Sequence, residues 1–181
     1  NLATKTCTLT IDLNETVQID GDNIILDGNN HVIMGSGTGF GVYCNLRTGV
    51  TIRNINARGF DNGIFLNNSH NNTITNNIIS FNVFQGFYLA WASENLIEGN
   101  LVSYNNGGIR FDISGWNIIK QNTVIQNGNL GLMFLASNVN TAIDNTIQGH
   151  SYAGIIFHVS SSNYANGNLI TDNNRGVYFY L

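Results

Sequence analysis

The stretch "NGIFLNNSHNNTITNN", Asn62 to Asn77, decides how the whole chain is read. More than half of it is asparagine, threonine and serine, yet isoleucines and a leucine thread through it at short intervals. Asparagine is a poor former of both helix and strand, so on its own such a segment reads as loop. It does not stand alone. A glycine followed by an apolar–any–apolar triplet recurs as GVYC at Gly41, GIFL at Gly63, GFYL at Gly86, GIRF at Gly108, GLMF at Gly131, GIIF at Gly154 and GVYF at Gly176, always 22 or 23 residues apart. Asparagines keep the same step. One series runs Asn54, Asn77, Asn100, Asn122, Asn145, Asn168, a second Asn72, Asn95, Asn117, Asn140, Asn163, and a third Asn82, Asn105, Asn127, His150, Asn173.

Each period reads as three strands of three to five residues parted by tight turns at Gly and Asn, with no helical periodicity. A unit this short cannot bury its apolar face by itself, so successive units must stack. The expected fold is all-β, a right-handed parallel β-helix of about seven coils, on the order of 35 Å long at one strand spacing per coil. Residues 1–40, whose strands are irregularly spaced, read as capping rungs, and 41–181 as regular coils of one domain. Asparagine tolerates the left-handed conformation of sharp corners, and its amide can donate to the coil above, which pairs a buried polar group. His150, standing in one such series, is expected to be a corner residue.

Composition narrows the function. Only 10% of residues are charged against roughly a quarter in soluble domains, the net charge is −4 and the pI about 5.3. No basic surface is expected, which sets nucleic acid and anionic lipid aside as partners. No run of eighteen apolar residues exists, so no membrane span is expected. No leader is visible at Asn1, and "RGVYFYL" stops within a core strand, so the sequence reads as a processed chain or a segment of a longer solenoid. Proline is absent, which leaves every residue able to donate to a backbone ladder. Cys7 and Cys44 admit three readings: an internal disulfide, two separate buried thiols, or a bridge between subunits. The setting expected is extracellular, cell-surface or periplasmic.

Alternation along the Gly-led strand assigns its faces. The first and third residues after Gly point in, from Val42 and Cys44 to Val177 and Phe179. The second points out, as Tyr43, Phe65, Tyr88, Arg110, Met133, Ile156 and Tyr178, and the fourth shares that face, as Asp112, Leu135, His158 and Tyr180. Met133, Leu135, Ile156, Tyr178 and Tyr180 make an apolar outer stripe of the kind that marks a contact surface. Arg110 and Asp112, with Tyr88 one coil above as a stacking platform, are the best candidates to hold a sugar acid.

The strings "NIILDGNNHVIMGSGTG", "GVTIRNINARGFDNGIFLNNSHNNTITNN" and "NLIEGNLVSYNNGGI" resemble the Asn-rich right-handed β-helix repeats of secreted archaeal and bacterial proteins, the NosD-like, carbohydrate-binding and sugar-hydrolysis repeat type. The resemblance covers essentially the whole chain and implies the fold. For activity it implies several things, since that family holds carbohydrate-active enzymes, a periplasmic copper-site accessory protein and many cell-surface proteins. Asp61, Glu94, Glu98, Asp112, Asp144 and Asp172 fall at different phases of the repeat, so no catalytic carboxylate cluster is expected. His31, His70, His150, His158, Met34 and Met133 also differ in phase, so neither a metal site nor any cofactor is expected. The leading expectation is a non-catalytic structural solenoid that associates with copies of itself through an open C-terminal edge and the apolar stripe. The alternative is a carbohydrate-binding or polysaccharide-processing module facing its glycan with Tyr43, Phe65, Tyr88, Arg110 and Asp112. An accessory protein for a metalloenzyme comes third.

Overall fold

A computed structural model describes residues 5–180, which contain 23 strands and no helix. The strands form three all-parallel sheets of eight, seven and eight strands, each strand hydrogen-bonded to its counterpart one coil earlier and one coil later. The chain is therefore a β-solenoid of about eight coils, one more than the Gly-led repeats alone count. Strands of the first two sheets are three residues long, such as Thr73–Thr75 and Ile78–Ser80, while those of the third sheet reach six, as in Asn62–Asn67 and Gln85–Ala90. The third sheet thus exceeds the three to five residues expected. Residues before Phe40 already place strands in all three sheets, with Ile25–Asp27 in register with Thr51–Arg53.

Register follows the repeat. Tyr43, Phe65, Tyr88, Arg110, Met133, Ile156 and Tyr178 pair in one column, and Val42, Ile64, Phe87, Ile109, Leu132, Ile155 and Val177 in the column beside it. Inward columns fill the core with like on like: Phe111, Phe134, Phe157 and Phe179 stack at 4.9, 5.2 and 5.3 Å between centroids. Val177 and Phe179 keep the register of these inward columns. At the last strand Val177 and Phe179 are exposed, Phe179 to 70%.

Three asparagine ladders hold the corners. Where an asparagine also stands one coil earlier, the amide oxygen accepts both its backbone N–H and its side-chain amide: Asn77 donates twice to Asn100 Oδ1, at 2.9 and 2.9 Å. The amide nitrogen also donates to a backbone carbonyl, Asn100 to Ile74 at 3.0 Å. A buried amide that makes every bond available to it costs nothing in desolvation and fixes the register. A fourth ladder runs through Ser114, Ser137 and Ser160, whose hydroxyls accept the N–H of Ala92, Ser114 and Ser137.

Two expectations about these corners are corrected. The ladder asparagines do not take the left-handed conformation; the residue just before each one does, as at Asn76, Gln121 and Asp144 before Asn77, Asn122 and Asn145. Asn54 belongs to that left-handed set, and Ile55 holds the first ladder position by donating to Asn77. Nor does the repeated glycine serve a turn. A Cβ at Gly86 would lie 2.3 Å from Val102 Cγ1 and 2.9 Å from the Gly108 carbonyl, so it is bare because two coils and two sheets converge there.

Cys7 and Cys44 are both free thiols, which overturns the internal disulfide. Cys7 is exposed on the edge strand of the first sheet, beside Leu26, whereas Cys44 is buried in the third, between Ile19 and Leu66. Burial pushes the Cys44 thiol up to about 12, so it behaves as a small apolar core residue.

Candidate functional site

On the outer face of the third sheet, apolar and aromatic residues replace polar ones for coil after coil, and the replacements have structure. Phe40, Tyr43, Phe65 and Tyr88 form a file of rings, with centroids 5.0, 5.5 and 4.8 Å apart and the Phe65–Tyr88 planes within 7° of parallel. One strand spacing per coil is the natural ring-stacking distance, so identical outward positions stack as the coils do. The file ends at Arg110, whose guanidinium carbon lies 5.7 Å from the Tyr88 centroid. The Tyr88 faces are thus occupied by Phe65 and Arg110, and the ring is no free platform for a sugar.

Arg110 grips Asp112 with two bonds, Nε to Oδ1 at 2.8 Å and Nη2 to Oδ2 at 2.9 Å, and the Tyr88 hydroxyl donates to Oδ2 at 2.9 Å. Burial first, then the Asp112 carboxylate, raises the Tyr88 phenol above its ordinary range, so it stays a donor. Hydrogen bonding to Asp112 holds Arg110 more firmly protonated despite its partial burial. Both carboxylate oxygens accept hydrogen bonds, which fixes the orientation of the Asp112 side chain.

Three hollows run along this face. The first, of about 250 Å³, is lined by Asn62, Phe84, Gln85, Tyr88 and Arg110. The second, of about 360 Å³, shares Gln85 and Arg110 and adds Asn129, Leu130, Met133, Tyr152 and Ile156. The third, of about 350 Å³, shares Met133, Tyr152 and Ile156 and adds His158, Tyr178 and Tyr180. Shared walls make them one trough. Its floor follows the column from Tyr88 to Tyr178, four coil steps, or about 19 Å at one strand spacing per step.

Of the residues singled out from sequence, the trough gathers Tyr88, Arg110, Met133, Ile156, Tyr178 and Tyr180. Tyr43 and Phe65 sit further up the ring file, and Asp112 and Leu135 lie on the next outward column without lining the trough. Ile156 is 4% exposed, covered in a small cluster with Leu130, Ala153, Met133 and Tyr178, so the apolar stripe partly buries itself. Phe84, Asn129, Tyr152 and Arg175 were missed. They stand one or two places before the repeating glycine, where the chain rises over the sheet edge, and the strings FQG, YAG and NRG were the available signal. Arg175 lies over two rings at once, 4.8 Å from the Tyr152 centroid and 5.2 Å from that of Tyr178, which meet edge to face at 6.0 Å.

Residues 15–181 match the family described as periplasmic copper-binding protein (NosD). No curated protein matches the chain. Among solved structures, the periplasmic alginate epimerase AlgG superposes with a TM-score of 0.74 at 17% identity, over 91% of this chain and 46% of that one. The enzymatically active domain of tailspike protein 2 of bacteriophage CBA120 gives 0.70 at 13%, over 96% and 35%. The A-module of the Azotobacter vinelandii mannuronan C-5 epimerase AlgE6 gives 0.57 at 18%, over 93% and 58%. These likenesses establish a shared fold, and the chain spans less than two thirds of each of those proteins.

The donor set does not fit copper. Copper sites want clustered imidazole, thiolate or thioether, and among the described residues no three His, Cys, Asp or Glu side chains converge. Both His150 ring nitrogens face backbone carbonyls, those of Asn127 and Val124, at 3.2 and 3.1 Å. The His70 Nδ1 accepts the Ser93 N–H, and the Cys44 thiol is locked in the core. His158 and Met133 share a hollow with no third soft donor.

Proposed function

We propose a glycan-binding function for this chain, which belongs to the NosD family. The observation that carries the proposal is the trough: a walled, half-apolar channel of about 19 Å, running along the coil axis of a rigid sheet. A saccharide chain is an extended ligand with apolar C–H faces and polar edges. The trough offers apolar floor at Met133 and Ile156, aromatic walls at Phe84, Tyr152 and Tyr178, and amides at Gln85, Asn129 and Asn62. Sites of this make-up orient ligands with a few polar groups over an apolar base. The fold shared with proteins named for alginate and mannuronan supports the same reading. A periplasmic or extracellular location agrees with the family description. Asp112 is fixed in orientation by bonds to both oxygens, in keeping with residues that bind and orient a ligand.

Calorimetric titration with purified oligosaccharides tests it. Tyr152→Ala removes a wall shared by two hollows and is expected to weaken binding by about tenfold, the effect of losing roughly 1.4 kcal/mol of aromatic contact. Phe81→Ala, a more exposed aromatic on a corner outside the trough, is expected to leave affinity unchanged. Equal responses of the two variants would remove the trough as the site.

Self-association through the apolar stripe is the weaker reading. The stripe already covers Ile156 with its own neighbours, and what remains is concave rather than a flat apolar face. Size-exclusion chromatography over a range of concentrations, with and without reductant, separates the two readings.

A further inference from the structure

We infer that Arg175, rather than Arg110, reads charge in the trough, and that the glycan held there carries carboxylates. The inference rests on the glycan-binding reading and specifies its ligand. Arg110 faces the middle of the channel, but the bidentate grip on Asp112 cancels its charge there. A ligand anion would compete with a carboxylate already in place. Arg175 is differently set. Among the described residues no carboxylate lies within ion-pairing distance of it, and its guanidinium is propped against the Tyr152 and Tyr178 rings.

Tyr152 and Tyr178 stand at 90° to each other, so the guanidinium can lie flat on only one of them, and its five N–H donors leave free edges beyond what the second ring covers. Those edges form the fork that matches a carboxylate with two parallel hydrogen bonds. Two tyrosines also hold the side chain still, so less rotamer freedom is lost on binding. Tyr152 and Tyr178 line the hollow at this end of the trough. The complementarity is specific to this place. The chain as a whole is at −4 and would repel an acidic polymer, yet the outward column from Tyr88 to Tyr178 contains no acidic residue. An acidic sugar at the Arg175 end therefore meets a cation without an opposing carboxylate, while the rest of the saccharide lies over Met133 and Ile156.

The test uses the full chain with an oligomannuronate of defined length and the same oligosaccharide after reduction of its carboxyl groups to alcohols. Wild type is expected to bind the acidic form about tenfold more tightly, as one charge-assisted pair contributes, with the preference shrinking as salt rises. Arg175→Gln, at an exposed position that leaves the core untouched, is expected to bring the affinities for the two ligands within about twofold of each other. Arg175→Lys should keep part of the preference through charge without the fork. A wild type that binds both forms equally, or an Arg175→Gln variant that keeps the full preference, overturns the charge assignment and leaves the trough standing. Binding of neither form overturns both.

Discussion

At the scale of single residues, His150 shows what the ladders require. It occupies the slot that Asn82, Asn105, Asn127 and Asn173 fill, at 1% exposure, and has no amide oxygen to accept from Asn127. Its two ring nitrogens face two carbonyls, although a neutral imidazole has one donor. Burial lowers its affinity for a proton, and the carbonyls of Asn127 and Val124 offset this only in part. The folded state therefore resists protonation more than the unfolded chain does, so stability falls as pH drops below the unfolded value of about 6.5. His150→Asn is expected to raise the melting temperature at neutral pH, by about 1 kcal/mol of restored ladder bonding, and the gain should widen at pH 5.5. Thermal melts of both proteins at the two pH values check it; a gap that narrows at low pH would contradict it. The ladder positions were legible in the sequence because one residue type repeats there. The left-handed positions were not, since Phe81, Trp91, Tyr104, Ile113, Trp116 and Val139 occupy them and none advertises positive φ. Each is exposed, and only Phe81 and Tyr104, whose rings stack at 5.2 Å, gain an aromatic contact there.

At the scale of the element, the six-residue strands of the third sheet carry both core and site. Their period-two alternation made the inward and outward columns readable, and the register is the one the repeat implies. What alternation could not show is depth: outward Ile156 is covered while outward Tyr180 is half exposed, because the walls come from residues ahead of the glycine. The glycine itself sets how closely the strand approaches the second sheet. Gly86→Ala would drive a methyl to 2.3 Å from Val102 Cγ1, with the Gly108 carbonyl close behind. Overpacking of this kind costs about 1–3 kcal/mol. Urea denaturation is expected to show a loss in that range, and pairing Gly86→Ala with Val102→Ala should recover part of it. A neutral Gly86→Ala would mean the strands can part freely.

At the scale of the molecule, every strong contact joins a coil to the one before or after it. Stability in such a stack is close to a sum over neighbouring interfaces, so when residues 1–181 are studied on their own the outermost coils, with one neighbour each, are expected to open first. Hydrogen exchange is expected to be slowest for the amides of Phe87, Ile109 and Leu132 and progressively faster towards Val17 and Val177. Uniform protection along the chain would show a single all-or-none unit instead. Stacking was legible from the spacing, which fell one coil short because the strand at Val17 lacks the leading glycine, whereas the trough was not legible, because it arises where side chains from different coils meet. The same geometry carries a consequence for ancestry. The trough lies parallel to the axis of repetition, so duplicating or deleting 22 or 23 codons lengthens or shortens it by one storey without redesigning any interior. Relatives can thus differ in the length of that channel simply by the number of coils they carry.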